Sequence, residues 1–133
     1  MAFYRSREGA LTAADTMTSL GSMYGQSTTA SVQCPSQTSA IVGIIATVST
    51  DSATNGAATF ACQLSGDGLS SGQETLVIGS QGVDGATVSN GMTNMPMTLD
   101  VSIAVEGSNQ VSVAVAMDVD VGSAQAAITL VFQ

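Results

Sequence analysis

The strongest constraint on the fold is an alternation of apolar and small polar side chains, with a period of two, that begins near residue 29. Such alternation is typical of half-buried β-strands. Segments rich in Gly, Asn, Asp and Ser interrupt it at residues 51–56, 65–72, 81–85 and 90–96. Strands are therefore predicted at residues 29–33, 40–50, 57–64, 74–80, 85–90, 97–106, 110–121 and 126–133.

About eight short strands with no convincing helix between them predict an all-β protein. The expected architecture is an antiparallel β-sandwich or barrel of the jelly-roll kind. The chain has 133 residues, which is enough for one domain and too few for two ordinary ones. We therefore expect a β domain at residues 27–133, preceded by an N-terminal arm at residues 1–26.

Residues 97–121 are predicted to form a hairpin whose two strands carry an apolar stripe. The stripe, which we expect to lie in the core, consists of Leu99, Val101, Ile103, Val105, Val111, Val113 and Val115. Both halves of the stripe share one side of the sheet if Ile103 pairs with Val113. Residues 107–109 then form the loop, with Asn109 in the left-handed conformation that such a loop needs.

The arm, residues 1–26, holds both arginines and both tyrosines of the chain. Leu11, Ala14 and Thr18 lie at helical spacings, which predicts a short helix near residues 10–20. Because a polar terminal segment is ordered only when it is tied down, we expect the arm to dock on neighbouring molecules and the β domain to fold without it. The alternative is an arm that packs on its own domain. The candidate anchors at the interface are Phe3, Tyr4, Arg5, Arg7 and Tyr24.

The charge balance excludes several classes of function. The chain has 2 basic and 10 acidic residues, no histidine and a net charge of −8. No cluster of basic residues can displace counterions from nucleic acid, and no mechanism that depends on histidine is available. The apolar run at residues 41–46 is far shorter than the roughly 20 residues of a membrane span. We therefore expect neither a nucleic-acid nor a membrane partner. No signal peptide is visible at the N-terminus.

One segment matches a catalytic motif. Residues 68–72, Gly-Leu-Ser-Ser-Gly, fit the nucleophile-elbow pattern, but Ser70 would need a base, and the chain has neither histidine nor lysine. We interpret the segment, together with the overlapping Gly66-Asp67-Gly68, as a turn. The expectation is a protein without catalytic residues, enzymatic activity or cofactor.

Acidic and sulfur side chains give two further hypotheses. No metal site is predicted, and the nearest approach to one is a group of three acids that could bind Ca²⁺ or form a solvated rim: Asp100, Asp118 and Asp120. Cys34 and Cys62 are expected to be free thiols because no secretion signal precedes them, with a disulfide as the alternative.

The predicted strand edges lack the usual protection against pairing with other chains. There is no lysine, both prolines are predicted in loops (Pro35 and Pro96), and the C-terminal strand ends without charge. We therefore expect the edges and the flat Ala/Ser/Thr faces to be covered by other subunits. A monomer whose edges close on each other is the alternative.

This combination of an arm, a Ser/Thr/Ala/Gly-rich β domain, few charges and an acidic balance resembles the decoration, or cement, proteins of tailed-bacteriophage capsids. The resemblance implies a non-enzymatic virion protein, made in the host cytoplasm, that stabilises a capsid across subunit joints. It also implies the major capsid protein or copies of the chain itself as partners, with a homotrimer or homodimer as the assembly.

Two other classes of function remain open at this point. The chain could be a different assembly subunit, either a phage tail or fibre component or a surface filament built by strand complementation. A filament donor strand should alternate, and residues 1–26 do not. An independent binding module would need a pocket with aromatic or charged specificity groups, which are scarce here because aromatic residues make up 4% of the chain.

Overall fold

The computed structural model consists of β-strands arranged in two antiparallel sheets. It describes residues 2–11, 16–21, 31–51, 56–83, 92–118 and 123–133, except for the side chains of residues 49–51, 56–58, 80–83, 92–97 and 123. The described residues form nine strands: β1 (Phe3–Leu11), β2 (Thr18–Ser19), β3 (Ser31–Gln33), β4 (Ala40–Asp51), β5 (Gly56–Ser65), β6 (Gln73–Val83), β7 (Met92–Ala104), β8 (Gln110–Met117) and β9 (Ser123–Phe132).

The strand order identifies the architecture. The first sheet has the order β1-β9-β4-β7, and the second has the order β2-β8-β5-β6, with β3 also paired to β8. β2 and β3 both pair with β8, so they lie one after the other along the same side of it. If β2 and β3 are taken as one strand, successive strands along the chain alternate between the two sheets, and the β5–β6 hairpin is the exception. This is the strand arrangement of a jelly roll. The predicted all-β sandwich is confirmed, and the two sheets do not close into a barrel.

The core is built around the alternating side chains of β8 and β9, each of which lies inside its sheet. Every second residue of β8 is buried from Val111 to Met117, and every second residue of β9 is buried from Ala124 to Phe132. Phe60, Ile44 and other apolar residues from β4 and β5 fill the space between the sheets. Alternation therefore places one face of each strand in the core and the other outside.

Strand positions follow the predictions to within a few residues, with exceptions at two places. The prediction for residues 85–90 lies outside the described residues. In the N-terminal segment β1 and β2 were not predicted, and the structure has β-strand rather than helix at residues 10–11 and 18–19.

The predicted pairing within residues 97–121 is wrong. β7 pairs with β4 in the first sheet, whereas β8 pairs with β5 in the second. The two strands lie in opposite sheets, and Ile103 and Val113 are both buried in the core between the sheets. Residues 107–109 do form a turn, but Ser108, with a φ of 73°, takes the left-handed conformation rather than Asn109.

The predicted arm is built into the sandwich along its described part. β1 pairs with β9 over nine residues, from Phe3 opposite Phe132 to Leu11 opposite Ala124. Leu11 and Leu20 are buried in the core, and the Leu20 amide donates to the Val113 carbonyl at 2.9 Å. Docking of this segment on neighbouring molecules stays a prediction.

Three loops meet at one end of the sandwich: residues 34–39, 66–72 and 105–109. The Cys34 amide donates to the Asn109 carbonyl at 2.8 Å, and the Gly68 amide donates to the Gln110 carbonyl at 2.8 Å. A Cβ at Gly68 would lie 2.7 Å from the Gln110 oxygen, and one at Gly107 would lie 2.7 Å from the Ser36 oxygen. These two glycines allow the loop backbones to approach one another this closely.

Val113→Asp tests the assignment of the core. Val113 is 1% exposed, so the substitution buries an unpaired carboxylate and should lower the free energy of unfolding by several kcal/mol. Ala114→Asp, one residue along and on the outer side of β8, should leave the isolated chain folded. Chemical unfolding followed by circular dichroism measures both, and equal stabilities of the two variants would contradict the assignment.

Leu11→Ala tests whether residues 1–26 belong to the fold. Leu11 is 6% exposed, so we expect the free energy of unfolding to fall by about 2–5 kcal/mol. Tyr4→Ala, in the same strand, should change it by less than about 0.5 kcal/mol because Tyr4 is 59% exposed. Because Leu11 and Leu20 are buried in the core, we also expect removal of residues 1–26 to destabilise the domain. A fully stable truncated chain would show that β1 is dispensable.

Candidate assembly surfaces

The outer face of the second sheet carries no charged side chain along the described parts of β6, β5 and β8, up to the exposed Asp118 that follows β8. Its side chains form three cross-strand rows, which we call the neutral face: Val77–Ala61–Ala116, Thr75–Gln63–Ala114 and Gln73–Ser65–Ser112. Ser19 and Ser31 extend two of these rows through their pairing with Ala114 and Ser112. Val77 is 63% exposed, which is a large exposure for an aliphatic residue.

The outer face of the first sheet is different because acids lie near both of its edges. Glu8 is on β1 and Asp100 is on β7, and the strands between them present residues such as Ile45, Thr129 and Gln125. The Ser6 and Thr129 hydroxyls share a hydrogen bond of 2.7 Å across two of its strands. Tyr4 is 59% exposed on this face and Ile45 37%.

The described strand edges carry protection that the sequence did not reveal. β9 is an inner strand, so the uncharged C-terminal segment is not an edge. Pro96 lies in β7, an edge strand, rather than in a loop as predicted, and an edge is the position in a sheet that tolerates proline. β2 and β3 are only two and three residues long, and the pairing of β5 with β6 is irregular at Phe60/Ala61. Short strands, bulges and prolines all hinder pairing with another chain.

The two arginines of β1 protect this edge strand against pairing with another chain. Phe3, Arg5, Arg7 and Leu11 lie at alternate positions on the side of β1 that faces the second sheet, where the sandwich is open between β1 and β3. Arg7 crosses this opening, and its guanidinium donates to the Ser31 carbonyl at 2.7 Å and to the Ser6 carbonyl at 2.8 Å. Its Nε is buried with no partner among the described residues. Arg7 therefore holds the two edge strands together.

Arg5 lines a shallow cleft of about 240 Å³ beside this opening. The other lining residues are Gln33, Cys34, Pro35, Ser36 and Ser108, none of which is acidic. The Arg5 guanidinium donates to the Tyr4 carbonyl at 3.0 Å, and the Gln33 side-chain amide donates to the Ser108 carbonyl at 3.1 Å. Arg5 is exposed. The cleft therefore combines one accessible cation with uncharged hydrogen-bonding groups.

A second cleft, of about 490 Å³, lies at the same loop end. Asp67, Ser108, Asn109, Gln110 and two further small residues line it. Its lining contains no aromatic side chain on which a sugar ring could stack. Ser70 is exposed in the neighbouring loop, where its backbone amide donates to the Ala104 carbonyl at 3.1 Å. Ser70 thus takes part in holding the loop against β7.

The predicted site residues fall into three groups. In the core stripe Ile103, Val105, Val111, Val113 and Val115 are buried, and Leu99 and Val101 are partly buried against the core. Among the interface candidates Phe3 packs against the core, Tyr4 and Arg5 are exposed, Arg7 is half-buried and Tyr24 lies outside the described residues.

Two of the three weak metal-ligand candidates lie in different sheets. Asp100 lies on β7 in the first sheet and Asp118 follows β8 in the second, so the two acids belong to strands that do not pair. Asp120 lies outside the described residues. The Asp118 carboxylate accepts the Thr59 amide at 2.7 Å, which extends the β5–β8 ladder. Within the described ranges no three acidic, histidine or cysteine side chains are arranged to hold a metal ion.

Both cysteines are free thiols and both are buried. Burial raises the pKa of Cys62 to about 12, and it also raises the pKa of Cys34, where a backbone hydrogen bond partly opposes the effect. The reactive form of cysteine is the thiolate. Each thiol is therefore held in its unreactive, protonated form at neutral pH.

Comparison with known proteins shows likeness in the fold alone. No protein family and no curated protein sequence matches the chain. Among solved structures, a chain of infectious bursal disease virus, strain Gx, has 11% identity and a TM-score of 0.48 over 98% of this chain and 31% of its own. The cyanophage Pam1 capsid has 14% identity and a TM-score of 0.47 over 98% of this chain and 83% of its own.

A third similar structure has a different kind of function. The C-terminal carbohydrate-binding module, of family CBM6, of the laminarinase LamC from Zobellia galactanivorans has 16% identity and a TM-score of 0.43, over 98% of this chain and all of its own. The chain spans less than a third of the length of the bursal disease virus chain. No helix in the described part of the chain is long and apolar enough to cross a membrane.

Thiol titration tests the assignment of the cysteines. At pH 8 only about one Cys62 in ten thousand is ionised if its pKa is about 12, so we expect almost no reaction with a thiol reagent in the folded protein. In denaturant, both cysteines should react. Because the raised pKa belongs to the folded state, Cys62 should also stabilise the fold less as the pH rises above 9. Failure to detect two thiols in denaturant would indicate a disulfide.

Proposed function

We propose that the protein is a non-enzymatic virion component that decorates a capsid and stabilises it by packing across the joints between capsid subunits. The observation that carries the proposal is the neutral face. A chain with a net charge of −8 presents, on the described outer side of one sheet, three rows of side chains without a single charge. Solvent-facing sheets normally carry charged side chains.

The chemistry of the neutral face suits protein partners. Most of its side chains are short, and five of the nine are alanine or serine from β5 and β8 that lie half-buried against their own sheet. Such a surface is flat, loses little side-chain entropy on contact, and lets a partner backbone come close. Sugar-binding surfaces usually rely on aromatic side chains, of which the neutral face has none.

The size of the neutral face favours an assembly with many contacts. The face spans four strand positions (β6, β5, β8, and the position shared by β2 and β3). At about 4.8 Å apart and six residues long, these positions cover roughly 400 Å². A stable pair of proteins buries about 800 Å² on each partner. One such contact alone is therefore weak, and the proposed role is one in which a subunit touches several neighbours at once, with the major capsid protein or further copies of the chain as partners.

Filament assembly by strand complementation is less well supported. In such filaments each subunit lacks a strand that its neighbour supplies. Here, within the described residues, β1 already fills the edge position beside β9, and the strand order of the jelly roll is complete. A subunit of a phage tail or fibre needs the same kind of surface as a capsid decoration protein, so the surface does not distinguish these two roles. Imaging of the labelled protein does.

Immunogold labelling of the source material tests the proposed location. An antibody raised against the chain should label the shells of capsid particles in negative-stain images. Label on tails or fibres would instead place the protein there, and label confined to material without particles would contradict a virion role. The purified chain should show no hydrolase activity above that of Ser70→Ala.

A matched pair of substitutions tests the neutral face itself. Gln63→Glu adds a charge at the centre of the face without changing the size of the side chain, and should weaken attachment to particles by tenfold or more, about 1.4 kcal/mol. Gln125→Glu makes the same change on the outer face of the first sheet and should leave attachment unchanged. Both variants should keep the melting temperature. Equal attachment of both variants would overturn the role of the neutral face.

A further inference from the structure

The cleft of about 490 Å³ at the loop end, which we call the Asp67 cleft, has the size of a ligand site and the charge of one carboxylate. Small-molecule sites usually enclose about 300–1,000 Å³. Asp67 is the charged residue of the described lining, and no basic or aromatic residue accompanies it there. The other described lining residues are Gly66, Ser108, Asn109, Gln110 and Ser112.

Acceptor groups for hydrogen bonds distinguish the Asp67 cleft. An ionised carboxylate such as that of Asp67 accepts hydrogen bonds and donates none. The Asn109 side chain donates through its nitrogen to the Asp67 carbonyl at 3.4 Å, so its amide oxygen remains as an acceptor. The Ser112 hydroxyl shares a bond of 3.1 Å with the Ser31 hydroxyl. The group that complements such a lining is the guanidinium of arginine, because it carries five donors and no acceptor.

The backbone around the Asp67 cleft is held in place by its own hydrogen bonds. The Gly68 amide donates to the Gln110 carbonyl at 2.8 Å, and the Glu106 amide donates to the Gly68 carbonyl at 2.8 Å. Gly66 has a φ of 116°, and a Cβ there would lie 2.9 Å from the Gln110 oxygen. The shape of the cleft is therefore set before a ligand arrives, which lowers the entropy lost on binding.

The Asp67 cleft is continuous with the neutral face. Ser112 lines the cleft and is also the last member of the row Gln73–Ser65–Ser112. Gln110, two residues earlier on the same side of β8, lines the cleft as well. A protein that lies on the neutral face can therefore insert one of its side chains into the cleft.

We propose that the Asp67 cleft binds an arginine side chain of another protein whose surface lies on the neutral face. The proposal rests on the proposed function, because it names one contact through which the subunit attaches. The partner is a different protein rather than a second copy, since two copies with a net charge of −8 repel each other, whereas a basic surface is attracted. Attachment should therefore weaken as salt rises.

Titration of the full chain with acetylarginine amide, followed by nuclear magnetic resonance, tests the ligand. Backbone amide signals of residues 66–68 and 108–112 should shift as the probe is added. Acetylcitrulline amide, which has nearly the same shape and no charge, should shift them much less. Asp67→Asn should remove most of the shift. Asp100→Asn makes the same change of charge at an exposed position of the first sheet and should keep it.

Attachment to particles at several salt concentrations provides a second measurement. At low salt Asp67→Asn should weaken attachment by about fivefold, the upper end for a partly exposed ion pair, and it should reduce the salt dependence. Asp100→Asn should weaken attachment by less than twofold, because it changes only the net charge. Both variants should keep the wild-type melting temperature, since both acids are exposed.

Other outcomes would overturn the inference without touching the proposed function. Equal shifts with the charged and uncharged probes, or in Asp67→Asn and the wild type, would show that the cleft does not select a guanidinium. Shifts caused by methyl glucoside and not by acetylarginine amide would make the cleft a sugar site. Equal attachment of Asp67→Asn and Asp100→Asn would mean that net charge alone acts. The titration needs no particles, and none of these results changes the immunogold labelling on which the proposed function depends.

Discussion

The alternation of apolar residues in β8 and β9 is the constraint on which the rest of the structure depends. Each strand lies inside its sheet, and each contributes one wholly buried face to the space between the sheets. Both strands lie in the last quarter of the chain, and β9 pairs with β1 at the other end. The first sheet therefore cannot form until nearly all of the sequence is available, which makes folding depend on non-local contacts.

The sequence predicts the strands well and their partners poorly, for a physical reason. Alternation reports which face of a strand is buried, but not which strand lies beside it. The stripes around Ile103 and Val113 fit a hairpin and fit equally well two strands in opposite sheets of a sandwich, which is what the structure has. β1 was missed because its inward positions include Arg5 and Arg7, which lie at the open side of the sandwich and not in its centre.

The candidate surfaces were predictable only in part. The small neutral side chains of β8 and the candidate anchors Tyr4 and Arg5 were visible in the sequence, but Val77 and the cleft residues Gln33 and Ser108 come together only through the topology. The edges were misjudged because their protection depends on order in the sheet. Pro96 hinders pairing with another chain because β7 is an edge strand. The uncharged β9 needs no such protection because it lies between β1 and β4.

Protected edges change how such a chain can assemble. Since the described edge strands are short, bulged, charged or interrupted by proline, backbone pairing between subunits is disfavoured, and contacts must form through side chains on the faces and at the opening between the sheets. The neutral face offers contacts that salt affects little, because no charge takes part in them. Under the proposed function, such contacts let a weakly associating subunit bind firmly only where several neighbours meet.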